Sequence, residues 1–200
     1  MNADSMQIYR GMNVGTAKPT EEEKQGVPHH LIDVADPDET FNAAVYRRAA
    51  VPVIERVSRA GAPCYVVGGS GLYIRALLGG LFDCPESSEE LRGKLRRAWE
   101  EEGAGALHAH LRSLDPTAAD AIHPNDRIRV MRALEVMALT GRPFSSVARN
   151  HGFRDRGFRA LKICLHMKRE RLYARINQRT RVMIENGLVE ETRALLEKGY

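Results

Sequence analysis

Apolar positions along this chain follow two different periods. Three short runs, Leu-Ile-Asp-Val at 31–34, Cys-Tyr-Val-Val at 64–67 and Leu-Lys-Ile-Cys-Leu at 161–165, are too short for helices. Helical spacing separates each run from the next, the order expected of buried parallel strands in an α/β sheet. A fourth strand is expected to end at Ala3. Residues 41–60 have helical spacing with Pro52 inside, where the missing N–H and the ring predict a kink or a division. Another helix is expected over 70–78, directly after Gly68-Gly69.

From residue 85 to 153 the pattern changes. Helical spacing recurs over 89–102, 107–114, 116–122, 127–139 and 144–151, punctuated by Gly103, Gly105, Asp115, Pro124, Gly141 and Pro143. No strand alternation interrupts it, and nothing repeats at a fixed period. The pattern therefore predicts an α/β parallel-sheet core built from 1–84 and 154–200, with an all-helical insertion over 85–153.

Composition narrows the class. With 43% hydrophobic residues among 200, the chain can build one core and a smaller appended unit. The apolar runs are far too short to span a bilayer, and the first residues lack the build of a secretion signal, so a cytoplasmic protein without a membrane partner is expected. Cys64, Cys84 and Cys164 are odd in number, widely spaced and without a C-x-x-C pair, which argues against a disulfide framework or zinc site. Cys64 and Cys164 lie in apolar runs and are expected to be small buried hydrophobes. His29-His30 and the His108/His110 pair lack the companions of a metal ligand set.

Charge adds a partner. The net of +4 conceals an uneven distribution: residues 127–181 hold 15 basic residues against Glu135, Asp155 and Glu170. A solvated surface usually intersperses both signs, so this bias points to phosphates, in nucleic acid, a diphosphate or both.

Four stretches carry residues that chemistry uses. Residues 4–19 (Asp-Ser-Met-Gln-Ile-Tyr-Arg-Gly-Met-Asn-Val-Gly-Thr-Ala-Lys-Pro) have little periodicity, and composition alone fits either an ordinary polar connection or a functional loop. Gly68-Gly69-Ser70-Gly71-Leu72-Tyr73 follows an expected strand and opens a helix, whose free N–H groups suit an anion or a polar substrate; a tight turn explains it equally well. His123-Pro124-Asn125-Asp126 supplies a helix cap, after which Ile128, Met131, Leu134 and Met137 form an apolar stripe with Arg129 and Arg132 a turn apart. Arg171, Arg175 and Arg179 fall on one helix face, where an anion would relieve their mutual repulsion; for Arg171 a solvated face is the alternative.

Together these blocks resemble the tRNA dimethylallyltransferase (tRNA isopentenyltransferase) family, in order and spacing, over essentially the whole chain. The matching motifs are Asp4-Ser-Met-Gln through Gly15-Thr-Ala-Lys-Pro19, Val67-Gly-Gly-Ser-Gly-Leu-Tyr73, His123-Pro-Asn-Asp…Arg129-Val-Met-Arg-Ala-Leu-Glu135, and Arg175-Ile-Asn-Gln-Arg179…Met183…Gly187-Leu-Val-Glu-Glu191. The resemblance implies a P-loop NTPase-like core whose helical insertion grips the anticodon stem-loop of tRNA. It implies transfer of a dimethylallyl group from dimethylallyl diphosphate, with Mg2+ on the diphosphate, to the adenosine following the anticodon. Asp4 is the implied catalytic base, taking the proton of the attacking N6 amine. The implied tRNA contacts are Asp4, Ser5, Met6, Gln7, Ser70, Arg92, Ile128, Arg129, Val130, Met131 and Arg132. Arg179 and Arg175 would bind the diphosphate. A monomer is expected.

Members of the family carry a Walker-type loop, G-x-T-x-x-G-K-[ST], about thirty residues before this aspartate and continue into further helices. No segment here matches that loop, and the chain stops at Gly199-Tyr200. The expectation is a piece of such an enzyme, incomplete at both ends and marginally stable alone. The alternatives are a tRNA-binding remnant without chemistry and, from another class, a small-molecule P-loop kinase.

Overall fold

In a computed structural model the described residues are 1–82, 89–151, 153 and 157–200. Cys84 and the expected boundaries at 84–85 and 154 lie outside them. Nine helices occur among the described residues: α1 (Glu21–Lys24), α2 (Ala43–Arg59), α3 (Gly71–Gly79), α4 (Glu89–Leu114), α5 (Pro116–Ala121), α6 (Arg127–Thr140), α7 (Phe144–His151), α8 (Arg169–Glu185) and α9 (Leu188–Glu197). None is long and apolar enough to cross a membrane. The chain divides into two compact units, Met1–Gly80 with Arg156–Tyr200, and Leu81–Asp155.

The parallel-sheet core expected of a P-loop NTPase-like fold is not present among the described residues, which hold only two isolated parallel bridges, Asn2 with Val67 and Tyr9 with Ala35. Each expected strand fails for its own reason. Within 31–34, Leu31 and Asp33 adopt left-handed backbone (φ 61° and 55°), which breaks an extended run. Residues 64–67 meet the start of the chain at two points and form a single bridge: the Tyr65 carbonyl accepts from the Met1 amino group at 2.7 Å, and Val67 accepts from Ala3 at 2.8 Å and donates to the Met1 carbonyl at 3.0 Å. Leu161, Ile163 and Leu165 are 78–93% exposed and pair with no strand among the described residues. A sheet needs backbone partners along each strand, and apolar content alone does not supply them. For the same reason Cys164 is exposed and Cys64 only half-buried, against the expectation of two buried thiols.

In the first unit α2 packs on α3. Asn42 caps α2 through Oδ1, accepting from Ala44 (2.9 Å) and Val45 (3.1 Å), and the helix passes Pro52 undivided. Tyr46 stacks on Tyr73, ring centroids 4.3 Å apart, and both are buried with Ala50, Ala76 and Leu77. The Tyr46 hydroxyl donates to the Asn2 carbonyl at 3.0 Å, and burial pushes its pKa well up. Residues 1–3 are thus anchored from below by Tyr46 and laterally by Val67. Gly68 is required here, because a Cβ would lie 2.2 Å from the Ala3 carbonyl.

The second unit holds α4–α7; α5, α6 and α7 fall within a residue of the expected spans, while the expected helices over 89–102 and 107–114 are joined as α4. Gly103 (φ 84°) breaks α4 into two helical arms. Its core is Leu107, Leu111, Ala118, Ala119, Ile122, Val130, Ala133 and Leu134, with Trp99 and Phe144 packed against it. Two buried polar side chains close it. His108 Nε2 lies 3.0 Å from the carbonyls of both Ala119 and Ile122, so this nitrogen carries the proton and joins α4 to the end of α5. Asp115 caps α5 through the Ala118 amide (3.1 Å) and also accepts from the Ser145 amide (2.7 Å) and hydroxyl (2.8 Å), tying α5 to α7.

Candidate functional site

Asp4 is held by local geometry. Asn2, buried, accepts from the Asp4 amide at 3.1 Å and donates to the carbonyls of Asp4 (3.2 Å) and Leu31 (2.9 Å). The Asp4 carboxylate then folds back, Oδ1 accepting from the amides of Met6 (2.8 Å) and Gln7 (3.4 Å). Its Oδ2 makes no hydrogen bond to any described residue. The next amide, of Ser5, donates to Ser70 Oγ at 2.8 Å. Ser70 precedes α3 but makes no cap bond within it; its hydroxyl is used to hold the Asp4 turn.

Gln7 turns its amide nitrogen toward the same loop, donating to the carbonyls of Thr16 (3.0 Å) and Ala17 (3.1 Å). With both N–H bonds committed, the group it can offer a ligand is Oε1, an acceptor matched to an amine. Arg179 Nη2 of α8 reaches the Thr16 carbonyl at 3.5 Å, so Gln7 and Arg179 meet at one carbonyl, and Asp4 is linked to them through the Gln7 backbone amide. Arg175 and Arg171 continue along α8 toward its N-terminus and make no ion pair with described residues; their face is open to an anion. Met6 is half-exposed beside this turn.

Two residues without an assigned role complete the loop. The Lys18 ammonium is nearly buried, bonded to Asp33 Oδ1 (2.5 Å), Asn13 Oδ1 (3.1 Å) and the Tyr9 carbonyl. It is a staple of the loop, with its donors spent within the protein. Glu191 of α9 accepts from the amides of Asn13 (2.6 Å), Val14 (2.8 Å) and Gly15 (3.0 Å). No spacing in the sequence joins residue 191 to residues 13–15; only its membership of a matched motif marks it.

The basic residues of the helical unit form a second cluster. Asp126 caps α6 by accepting from the Arg129 amide at 3.0 Å, and its other oxygen lies 3.4 Å from the Arg129 guanidinium. Ile128, 81% exposed, and the exposed Arg129 stand on the first turn of α6. Val130, expected among the tRNA contacts, is fully buried in the core, so its side chain cannot reach a ligand. Met131 is half-buried. Arg132 and Arg92 both bind one carboxylate, the buried Glu135: Arg92 Nε at 2.9 Å from Oε1, Arg132 through Oε2. Two half-exposed guanidiniums on one buried acid keep a net positive charge with fixed orientation.

The IPP transferase family model matches residues 7–200. A tRNA dimethylallyltransferase of Geobacter sulfurreducens is 48% identical over 200 residues, all of this chain and 64% of its own length. The tRNA dimethylallyltransferase 1 of Pelobacter propionicus is 50% identical, with 65% of its length covered. The chain thus spans just under two thirds of the length of these curated relatives. Among solved structures, the full-length tRNA isopentenylpyrophosphate transferase of Bacillus halodurans aligns at TM-score 0.63 and 41% identity, over 99% of this chain and 61% of that one. A eukaryotic dimethylallyltransferase, described as acting on tRNA, aligns at TM-score 0.84 and 30% identity, over 98% of this chain and 49% of that one.

Proposed function

The chain belongs to the IPP transferase family, and from that premise we propose that it modifies tRNA. The reaction transfers a dimethylallyl group from dimethylallyl diphosphate to N6 of the adenosine 3′ of the anticodon, giving N6-isopentenyladenosine. The setting is the cytoplasm and the acting form a monomer.

The observation that carries this reading is the meeting of Gln7 and Arg179 at the Thr16 carbonyl, with Asp4 tied to Gln7 through the Gln7 backbone amide. N6 attacks the allylic carbon, the carbon–oxygen bond breaks, and the diphosphate leaves with the electron pair. An aromatic amine is a poor nucleophile, and a positioned carboxylate prevents charge from accumulating on it by accepting its proton. Asp4 Oδ2 is free for that proton while Oδ1 is anchored by two amides. Gln7 Oε1 suits the second N6 hydrogen, which fixes the amine before attack. Arg179, with Arg175 one turn earlier, supplies planar guanidiniums for the departing diphosphate. In the helical unit Ile128, Arg129 and Met131 offer α6, and Arg92 and Arg132 a fixed positive pair, to the anticodon stem-loop.

Magnesium is a different matter. The ion takes one or two carboxylates together with substrate phosphates. The described residues contain no group of three or more His, Cys, Asp or Glu that could hold a metal, and Asp4 Oδ1 is occupied by amides. Magnesium would therefore be held chiefly by the oxygens of the diphosphate.

The test is product analysis. Incubation with unmodified tRNA and labelled dimethylallyl diphosphate, followed by nucleoside digestion, is expected to yield labelled N6-isopentenyladenosine. Label that stays in the diphosphate, or enters another nucleoside, overturns the proposal.

A further inference from the structure

The Glu191 carboxylate occupies a seat that loops more often offer to phosphate. Three successive amides, Asn13 and Val14 on one oxygen and Gly15 on the other, point at it. Here the anion comes from the protein itself, on the first turn of α9. The loop is shaped for this approach. A Cβ on Gly15 would stand 2.8 Å from Leu188, and one on Gly11 would stand 3.3 Å from Leu195. The carbonyls of the same loop hold the reactive groups, Thr16 accepting from Gln7 and Arg179, and Ala17 from Gln7. The peptide N–H groups of 13–15 therefore bind α9, and the carbonyls that follow bind the site.

We infer that Glu191 is a positioning residue for the transfer reaction, acting through loop 13–17 on Gln7 and Arg179; the inference rests on the proposed reaction. It touches no substrate. Its two oxygens are both needed, because the three amides divide between them. Glutamine in its place keeps one acceptor and presents an NH2 group to the remaining amide, while alanine loses all three bonds. Once the amides are released, the Thr16 and Ala17 carbonyls no longer have a fixed direction, and small displacements of positioning groups are costly to rate.

The experiment compares wild type with Glu191→Gln, Glu191→Ala and Leu195→Ala, the last loosening α9 without removing the carboxylate. Transfer kinetics, thermal midpoints and dimethylallyl diphosphate affinity by calorimetry are measured on each. The expected result is a fall in kcat of about tenfold for Glu191→Gln and about a hundredfold for Glu191→Ala, with KM for tRNA held within about threefold. Leu195→Ala is expected to lower the midpoint while keeping kcat when assayed well below it. A Glu191→Ala protein that loses only thermal stability, as Leu195→Ala does, overturns the inference. If the wild type itself transfers nothing, the proposed function fails separately. The positioning role then rests on calorimetry: binding about tenfold weaker in Glu191→Ala supports it through Arg179, and equal binding, including none by either protein, overturns it.

Discussion

Arg92 Nε lies 2.9 Å from Oε1 of the buried Glu135, joining α4 to α6 across the core of the helical unit. Arg132 takes the other oxygen of the same carboxylate. The acid both fixes the two guanidiniums and cancels one of their charges. Replacing it, as Glu135→Gln, is expected to cost about 1–2 kcal/mol, since the half-exposed arginines can turn to water. The same change frees a positive charge, so the log-log salt slope of tRNA binding should steepen by about one unit. Chemical denaturation and tRNA titration at several salt concentrations check the pair; an unchanged slope would place both arginines away from phosphate.

Arg129 behaves differently, because its partner Asp126 is a helix cap held 3.4 Å away and the guanidinium is exposed. Arg129→Ala should reduce the salt slope by about one unit while leaving stability within about half a kcal/mol. Titrations that show equal slopes for wild type and variant would remove Arg129 from the phosphate contacts.

Asp115 makes the helical unit sensitive to acid. Burial pushes its carboxyl up, but the Ser145 amide and hydroxyl, the Ala118 amide and the charge of Arg149 outweigh this and hold it below the usual value. A depressed pKa in the folded state gives a stabilising contribution that is complete above the unfolded value, about pH 4, and is lost as pH falls through the folded one. Asp115→Asn should flatten that part of the pH–stability curve. At neutral pH Asp115→Ala should cost about 2 kcal/mol, through the lost cap and the stranded Ser145 donors. Thermal melts between neutrality and pH 3 distinguish these outcomes, and identical acid limbs for wild type and Asp115→Asn would exclude Asp115 as their source.

Gly68→Ala should disturb the site from beneath. The added Cβ would meet the Ala3 carbonyl at 2.2 Å, which forces residues 3–5 to move at a cost of about 1–3 kcal/mol. Because Ser5 and Asp4 follow directly, transfer activity should fall further than the loss of folded protein explains. Activity normalised to folded fraction that matches wild type would show that the strain is absorbed elsewhere.

These relationships were not equally visible in the chain. The helices of 89–151 follow from an apolar period long enough to exclude a strand, and Asp115 and Asp126 cap helices where the spacing begins. The runs at 31–34 and 161–165 misled because apolar content suggests burial without saying what lies opposite. Leu31 and Asp33 take left-handed backbone, and Leu165 is 93% exposed. Val130 shows a similar limit: a motif places it beside Arg129, but the helical turn directs it into the core. Asp4, Gln7 and Arg179 could be singled out as chemical groups, yet the meeting of Gln7 and Arg179 at Thr16 depends on a contact spanning 163 positions. Glu191 was least legible, because the groups it binds are backbone amides, which every residue but proline possesses.

The most direct test of the account is single-turnover transfer by Asp4→Asn beside wild type, with tRNA affinity measured on the same preparations. Asparagine preserves an acceptor for the Met6 and Gln7 amides but cannot take the N6 proton. A loss of at least about a hundredfold in the transfer rate, with tRNA affinity changed less than about threefold, is the predicted result. Transfer at a near-normal rate would contradict it and remove Asp4 from the chemistry.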